Sequence, residues 1–146
     1  MNITIDIKQL KDLEKRLLNA GPKTIKAAQY EVEASASKVL EVAKQLVPVD
    51  FGLLKGSIAS EPLTKDKWKI GANREYAPYV EFGTGARVNV SQDWEAFALQ
   101  FKDPSSEFAG LRNGQHAQPY LYPGFKAGKK DLIERLENVI IEFNLQ

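Results

Sequence analysis

Apolar residues recur along one stretch at helical spacing with almost no interruption. Ile25, Ala28, Val32, Ala36, Val39, Ala43 and Leu46 step by three or four residues. Such a stripe covers one face of a helix and demands a covering layer. The spacing predicts a helix over 22–47, about 39 Å long at 1.5 Å per residue. Pro22 suits its first turn, and Pro48 ends it by removing a donor and disfavouring helix at Val47. The stripe is rich in alanine and serine, so its partner packs closely. That partner is the protein's own core or, over part of the length, a neighbouring subunit.

The flanking patterns are shorter. Ile3, Ile5 and Ile7 alternate with Thr4 and Asp6, as in a half-buried strand or an extended lead-in. Leu10, Leu13 and Leu17 predict a helix over 8–20, with Gly21 just past it as a left-handed cap. After Pro48 the period drops to two. Strands are predicted over 53–60 and around Trp68 and Ile70, joined as a hairpin by Thr64-Lys65-Asp66. A third strand is predicted over 79–82, with Pro78 at its start. Leu132, Leu136, Val139 and Phe143, widened by Ile133 and Ile140, predict a C-terminal helix beginning near Pro123. Helices, strands and a final helix in this order give α+β: an antiparallel sheet packed by the long helix and the C-terminal helix.

Residues 86–116 break the regularity. Trp94, Phe97, Phe101, Phe108 and Leu111 bring more apolar surface than a solvated loop carries, while polar runs around Asp103 and Arg112 interrupt any continuous element. A short helix after Ser91 fits part of the stretch. Two readings stand: an arm whose aromatics bury against a neighbouring subunit, or a helix and hairpin packed on the same domain.

Composition narrows the function. The chain has 146 residues, about one domain, so 1–146 reads as a single unit. It has no cysteine and one histidine, which excludes disulfides, thiolate chemistry and multi-histidine metal sites. Net charge is +1, far from the excess of a sequence-blind nucleic-acid binder. No apolar run approaches the ~20 residues of a membrane span. No Sec-type signal opens the chain, so the protein is expected to stay in the cytoplasm where it is made.

Chemistry-bearing residues do not assemble into a catalytic set. Gly83-Thr84-Gly85 lacks the Gly-Lys-Ser/Thr of a phosphate loop. His116 has no nucleophile elbow nearby and reads as solvated. Glu75 and Glu81 are expected on the solvent side of the third strand, Glu81 facing away from Val80 and Phe82. No enzyme activity and no cofactor are expected. Lys126, Lys129 and Lys130 lie near the start of the last helix, with acidic residues later, against the preference of the helix dipole. They are either a solvated face, with Lys130 pairing to Glu134, or a contact for an acidic partner or DNA phosphates.

Three stretches carry a wider pattern: Pro48-Val49-Asp50-Phe51-Gly52-Leu53-Leu54-Lys55-Gly56-Ser57-Ile58, Tyr76-Ala77-Pro78-Tyr79-Val80-Glu81-Phe82-Gly83-Thr84-Gly85, and Gln118-Pro119-Tyr120-Leu121-Tyr122-Pro123-Gly124-Phe125. In this order, after a long helix, they resemble the neck and tail-completion (head–tail joining) family of long-tailed bacteriophages. Tyr120 stands where that family usually has phenylalanine, and the stretch between Gly85 and Gln118 is longer than in many members. The resemblance implies a structural virion protein of the neck, joining the head connector to the tail. It implies a homo-oligomeric ring, on the order of six or twelve copies, between head-closure or connector proteins and tail-terminator or tail-tube proteins. Genomic DNA would pass nearby, and no membrane is involved. The alternative is a DNA-binding accessory protein that holds phosphates with Lys126, Lys129 and Lys130.

Overall fold

The computed structural model describes residues 1–84, 89–90, 92–95, 98 and 115–144. Strand β1 (Asn2–Asp6) leads through one 3-10 turn (Ile7–Gln9) into α1 (Lys11–Ala20) and then α2 (Pro22–Leu46). A short helix, α3 (Gly52–Ser57), precedes the hairpin β2 (Ile58–Thr64) and β3 (Lys67–Ala72). Helix α4 (Ala77–Phe82) follows, and α5 (Leu121–Asn144) closes the fold. The architecture is α+β, as the element order predicts.

The sheet is antiparallel with the order β1-β3-β2. Its register pairs Ile3 with Ile70, Ile5 with Trp68, and Ile58 with Ala72. Directly paired residues share a face, so these side chains form one apolar surface. Helix α2 covers that surface and α5 packs on α2, with a further contact to β1. On the other face, Lys69 and Glu61 sit opposite each other and form an ion pair.

The alanine-rich stripe of α2 is the seat of α5. Ala28, Val32, Ala36, Val39 and Ala43 have no exposed surface, whereas Ile25 is half-buried and Leu46 is 44% exposed at the stripe's ends. Helix α5 meets the stripe with Gly124 and Gly128. A Cβ on Gly124 would lie 2.8 Å from the Val39 carbonyl oxygen, and one on Gly128 would run into Val39 Cγ2. Small residues on both helices let the backbones approach this closely. Polar bonds fix the register: Ser35 Oγ donates to Asp131 at 3.0 Å, and Arg135 donates to Asp131 at 2.7 Å and to Glu31 at 3.0 Å. At the solvent edge, Arg16 of α1 forms a two-pronged pair with Glu137 of α5 at 2.8 and 2.9 Å.

Several local expectations are corrected. The stretch 53–60 begins as helix, with the strand starting only at Ile58. Leu54 and Ile58 are both buried and four apart, a helical spacing that outweighs the β-like composition around them. The predicted strand over 79–82 is helix α4, with Pro78 in its first turn. The third strand of the sheet is β1 instead. Helix α1 begins at Lys11 after the 3-10 turn, so its start lies later than 8. Gly21 has φ of 108° with an extended ψ of 173°, a positive-φ break between α1 and α2 but not the left-handed helical cap. Gly83 ends α4 with φ of 80°.

Candidate functional site

Helix α4 is too short to stand alone, and its buried face explains its place. Ala77, Val80 and Glu81 recur at helical spacing and all face inward. The expected solvent-facing carboxylate is therefore wrong: Glu81 is 1% exposed. Its carboxylate meets the start of α5. Oε2 accepts the backbone N–H groups of Tyr120 and Leu121, and Oε1 accepts that of Tyr122, each at 2.8 Å. The next residue is Pro123, which has no N–H. A helix leaves its first four N–H groups without intrahelical partners. Here Glu81 takes three and proline removes the fourth.

Two opposing causes act here and burial prevails. It holds the Glu81 carboxyl above its ordinary range, and the three N–H bonds offset only part of that rise. The positive end of the α5 dipole faces the same carboxylate. Tyr120 packs beside it with no exposed surface, its hydroxyl donating to the Ala77 carbonyl at 3.4 Å. Burial and the neighbouring Glu81 push the Tyr120 phenol well above the ordinary tyrosine value.

The same two chain segments are laced together beyond Glu81. Gln118 N–H donates to the Val80 carbonyl at 2.8 Å, Thr84 N–H to the Gln115 carbonyl at 2.9 Å, and Gln115 N–H to Thr84 Oγ1 at 2.6 Å. The second and third stretches of the sequence pattern are thus two halves of one buried joint. Its product is the fixed placement of α5.

On the outer side of this placement lies a cleft of about 520 Å³. Trp94, from a 3-10 turn (Gln92–Trp94), stacks on Tyr122 with ring centroids 4.7 Å apart and lies 6.2 Å from the Phe125 ring. The Tyr122 hydroxyl donates to the Asp93 carboxylate. Lys126 lies over the Tyr122 ring at 5.2 Å, a cation–π distance. Lys129, Lys130, Ile133 and Glu134 complete the wall. Trp94 and the three lysines, read from the sequence as two separate contacts, line one cleft, but Trp94 is 8% exposed and packs into the core behind it, so the expectation of an open interface residue is corrected. No ion pair links Lys130 to Glu134, so that expectation is corrected; the i,i+4 pair on this helix is Arg135 with Asp131. Phe97, Phe101, Phe108 and Leu111 lie outside the described residues, and with them most of the expected arm over 86–116.

The remaining sequence candidates are scattered. His116 is exposed, and Glu75 is exposed ahead of α4. Glu81 is buried and engaged by three amides, whereas Glu75 is exposed, so the two do not share the solvent-side setting expected of them. Among the described residues no cluster of His, Asp or Glu could hold a metal ion, and no helix is long and apolar enough to cross a membrane. Sequence reasoning missed Glu81 because a glutamate between Val80 and Phe82 looks like the polar position of a strand. The available signal was Pro123: a helix that starts near a proline still has N–H groups to satisfy.

Residues 11–83, from the start of α1 through the end of α4, match a family model described as "Bacteriophage HK97-gp10, putative tail-component". The chain belongs to the HK97-gp10-like family. It is a phage structural protein of the tail-component class, and its place is in the virion. No curated protein and no solved structure matches it. The family match covers Glu81 but stops short of α5, the helix that Glu81 holds.

Proposed function

We propose that the protein is a non-catalytic subunit of the phage neck, completing the tail and joining it to the head connector as part of a ring. The observation that carries this reading is the cleft walled by Tyr122, Phe125, Lys126, Lys129 and Lys130 of α5 and backed by the buried Trp94, on a helix whose start Glu81 ties to α4. Aromatic bodies supply contact area at small entropic cost, and the lysines favour an acidic neighbour. The chemistry-bearing groups at the α4–α5 joint are spent on holding the fold together. The expected partner is an acidic surface on an adjacent connector or tail protein.

The test is a double charge reversal, Lys129→Glu with Lys130→Glu, made in the producing phage. Both side chains are exposed, so melting should stay within about 0.5 kcal/mol of wild type. Heads and tails should then accumulate unjoined. Normal joining with both charges reversed would remove this surface from the junction.

A second reading rests on the same three lysines: contact with the phosphates of DNA passing through the neck. It predicts duplex binding by the isolated protein that weakens steeply with salt. The net charge of +1 favours the protein partner over DNA.

A further inference from the structure

Helix α2 has exposed apolar residues near each end that the other described residues do not cover. At its C-terminal end Leu46, and just past it Val49 and Leu53, follow one another along the turn into α3 and are 44%, 97% and 69% exposed. The turn is braced by its own backbone. Phe51 N–H donates to the Pro48 carbonyl at 3.0 Å, and Lys55 N–H to the Phe51 carbonyl at 3.0 Å. Val49 and Leu53 therefore stand on a hydrogen-bonded turn, the projection, with Leu46 at its base.

Near the N-terminal end, a groove of about 810 Å³ runs between the first turns of α2 and the tip of the β2–β3 hairpin. Ile25, Tyr30, Leu63 and Trp68 supply much of its apolar lining. Tyr30 is 67% exposed and Leu63 47%. Gln29 Nε2 donates to Asp66 at 3.0 Å and pins the hairpin tip at the groove's edge. About 30 Å of helix separates groove from projection.

Scattered exposed apolar residues are ordinary, but exposed apolar residues grouped on a turn and along a groove mark interaction sites. Their charges match. The projection carries Asp50 and Lys55; the groove is lined by Lys26, Lys65 and Glu33. None of these five belongs to an ion pair among the described residues.

We propose that the projection of one copy seats in the groove of the next, with Val49 and Leu53 against Tyr30 and Leu63, and Asp50 toward Lys26 and Lys65. Projection and groove are different surfaces, so the contact is head-to-tail and repeats from copy to copy, closing when the rotation closes. The inference rests on the ring-forming reading above and assigns the surfaces through which its subunits meet.

The chain has no cysteine, so oxidative cross-linking reports only on introduced pairs. Particles are assembled with Val49→Cys and Leu63→Cys in the same chain, with each single variant as control, and copies per particle are counted for the wild type. The expected result is a ladder of covalent multimers from the double variant, ending at the copy number, and none from either single variant. Several copies per particle without a ladder would overturn this contact and leave the ring standing. Dimers from Val49→Cys alone would overturn it in favour of a symmetric contact. One copy per particle would overturn the ring and this contact together.

Discussion

The backbone N–H of Tyr120 donates to the carboxylate of Glu81 at 2.8 Å, across 39 residues of sequence. Helix α5 is in effect capped by a side chain from a different helix. An ordinary cap comes from the residue just before the helix and satisfies one donor. This one comes from a distant segment, satisfies three, and fixes where α5 begins relative to α4. The cost is a buried carboxylate, offset in part by three backbone N–H groups that donate to it. Loss of the carboxylate would loosen both the fold and the outer surface that α5 presents.

Glu81→Gln keeps the shape and removes one acceptor. The amide nitrogen then faces a backbone N–H, donor against donor. Unfolding free energy should fall by about 1–3 kcal/mol. Glu81→Ala, which leaves two buried N–H groups and a part-buried one without this acceptor, should cost about 3 kcal/mol or more. Chemical denaturation of the three proteins measures both. A Gln variant as stable as the wild type would mean the carboxylate is not needed for the cap.

The pH dependence follows from the direction of the Glu81 shift. Burial raises its folded pKa above the unfolded value of about 4.3. Between those two values the folded protein keeps a proton that the unfolded chain has released. The Glu81 contribution is therefore fully present below the unfolded pKa and is lost as pH rises through the folded one. The stability difference between wild type and Glu81→Gln should be larger in acid and shrink toward neutrality. Subtracting the Gln variant cancels the other carboxylates. A difference that instead grows with pH would mean that the three amide bonds outweigh burial.

The long-range part of this design could not be read from local pattern. Helix α2 was legible because its stripe spans six turns, long enough for period 3.6 to separate from period 2. Its small residues even signalled a close partner, which is α5. Helices α3 and α4 have six residues each, too few for the period to show, and β-forming Val80 and Phe82 then weigh toward strand. For Glu81 the obstacle was different. Its partners are backbone N–H groups, which every residue but proline has, so no distinctive residue type marks them. Trp94 and the lysines were legible as surface candidates, but their shared location depends on how α5 is seated. The projection at Val49 and the groove at Tyr30 went unread, because exposure of an apolar residue is a tertiary fact.

Val32→Asp tests the stripe itself. Val32 has no exposed surface and lies midway along α2, within the buried core. A carboxylate there would be buried within the hydrophobic core. The substitution should cost several kcal/mol, on the order of 3–5, and leave little folded protein at 37 °C. A melting temperature equal to the wild type would show that the stripe is not packed.

The glycines of α5 give the sharpest packing test, because the two sites differ in what a methyl group would meet. On an exposed helix, glycine to alanine gains up to about 1 kcal/mol from propensity. At Gly124 the new Cβ would lie 2.8 Å from the Val39 carbonyl oxygen and 3.1 Å from the Ala43 nitrogen. Those are backbone atoms, so only a shift of the whole helix relieves them. At Gly128 the first obstacle is Val39 Cγ2, a side-chain methyl, with the Ser35 carbonyl oxygen next at 3.0 Å. Each alanine should therefore destabilise, by about 1–3 kcal/mol net of propensity. The difference appears on adding Val39→Ala. That second change removes the methyl facing Gly128, so Gly128→Ala should cost at least 0.5 kcal/mol less in the Val39→Ala background than in the wild type, a coupling of the size expected for residues in contact. Gly124→Ala should show little coupling to Val39→Ala, since its obstacles, the Val39 carbonyl oxygen and the nitrogen and Cβ of Ala43, are all left in place by the truncation. Denaturation of the two double-mutant cycles measures this directly. Equal coupling at both glycines would mean that α5 moves as a rigid body to relieve either clash, and that the close approach of the two helices is soft.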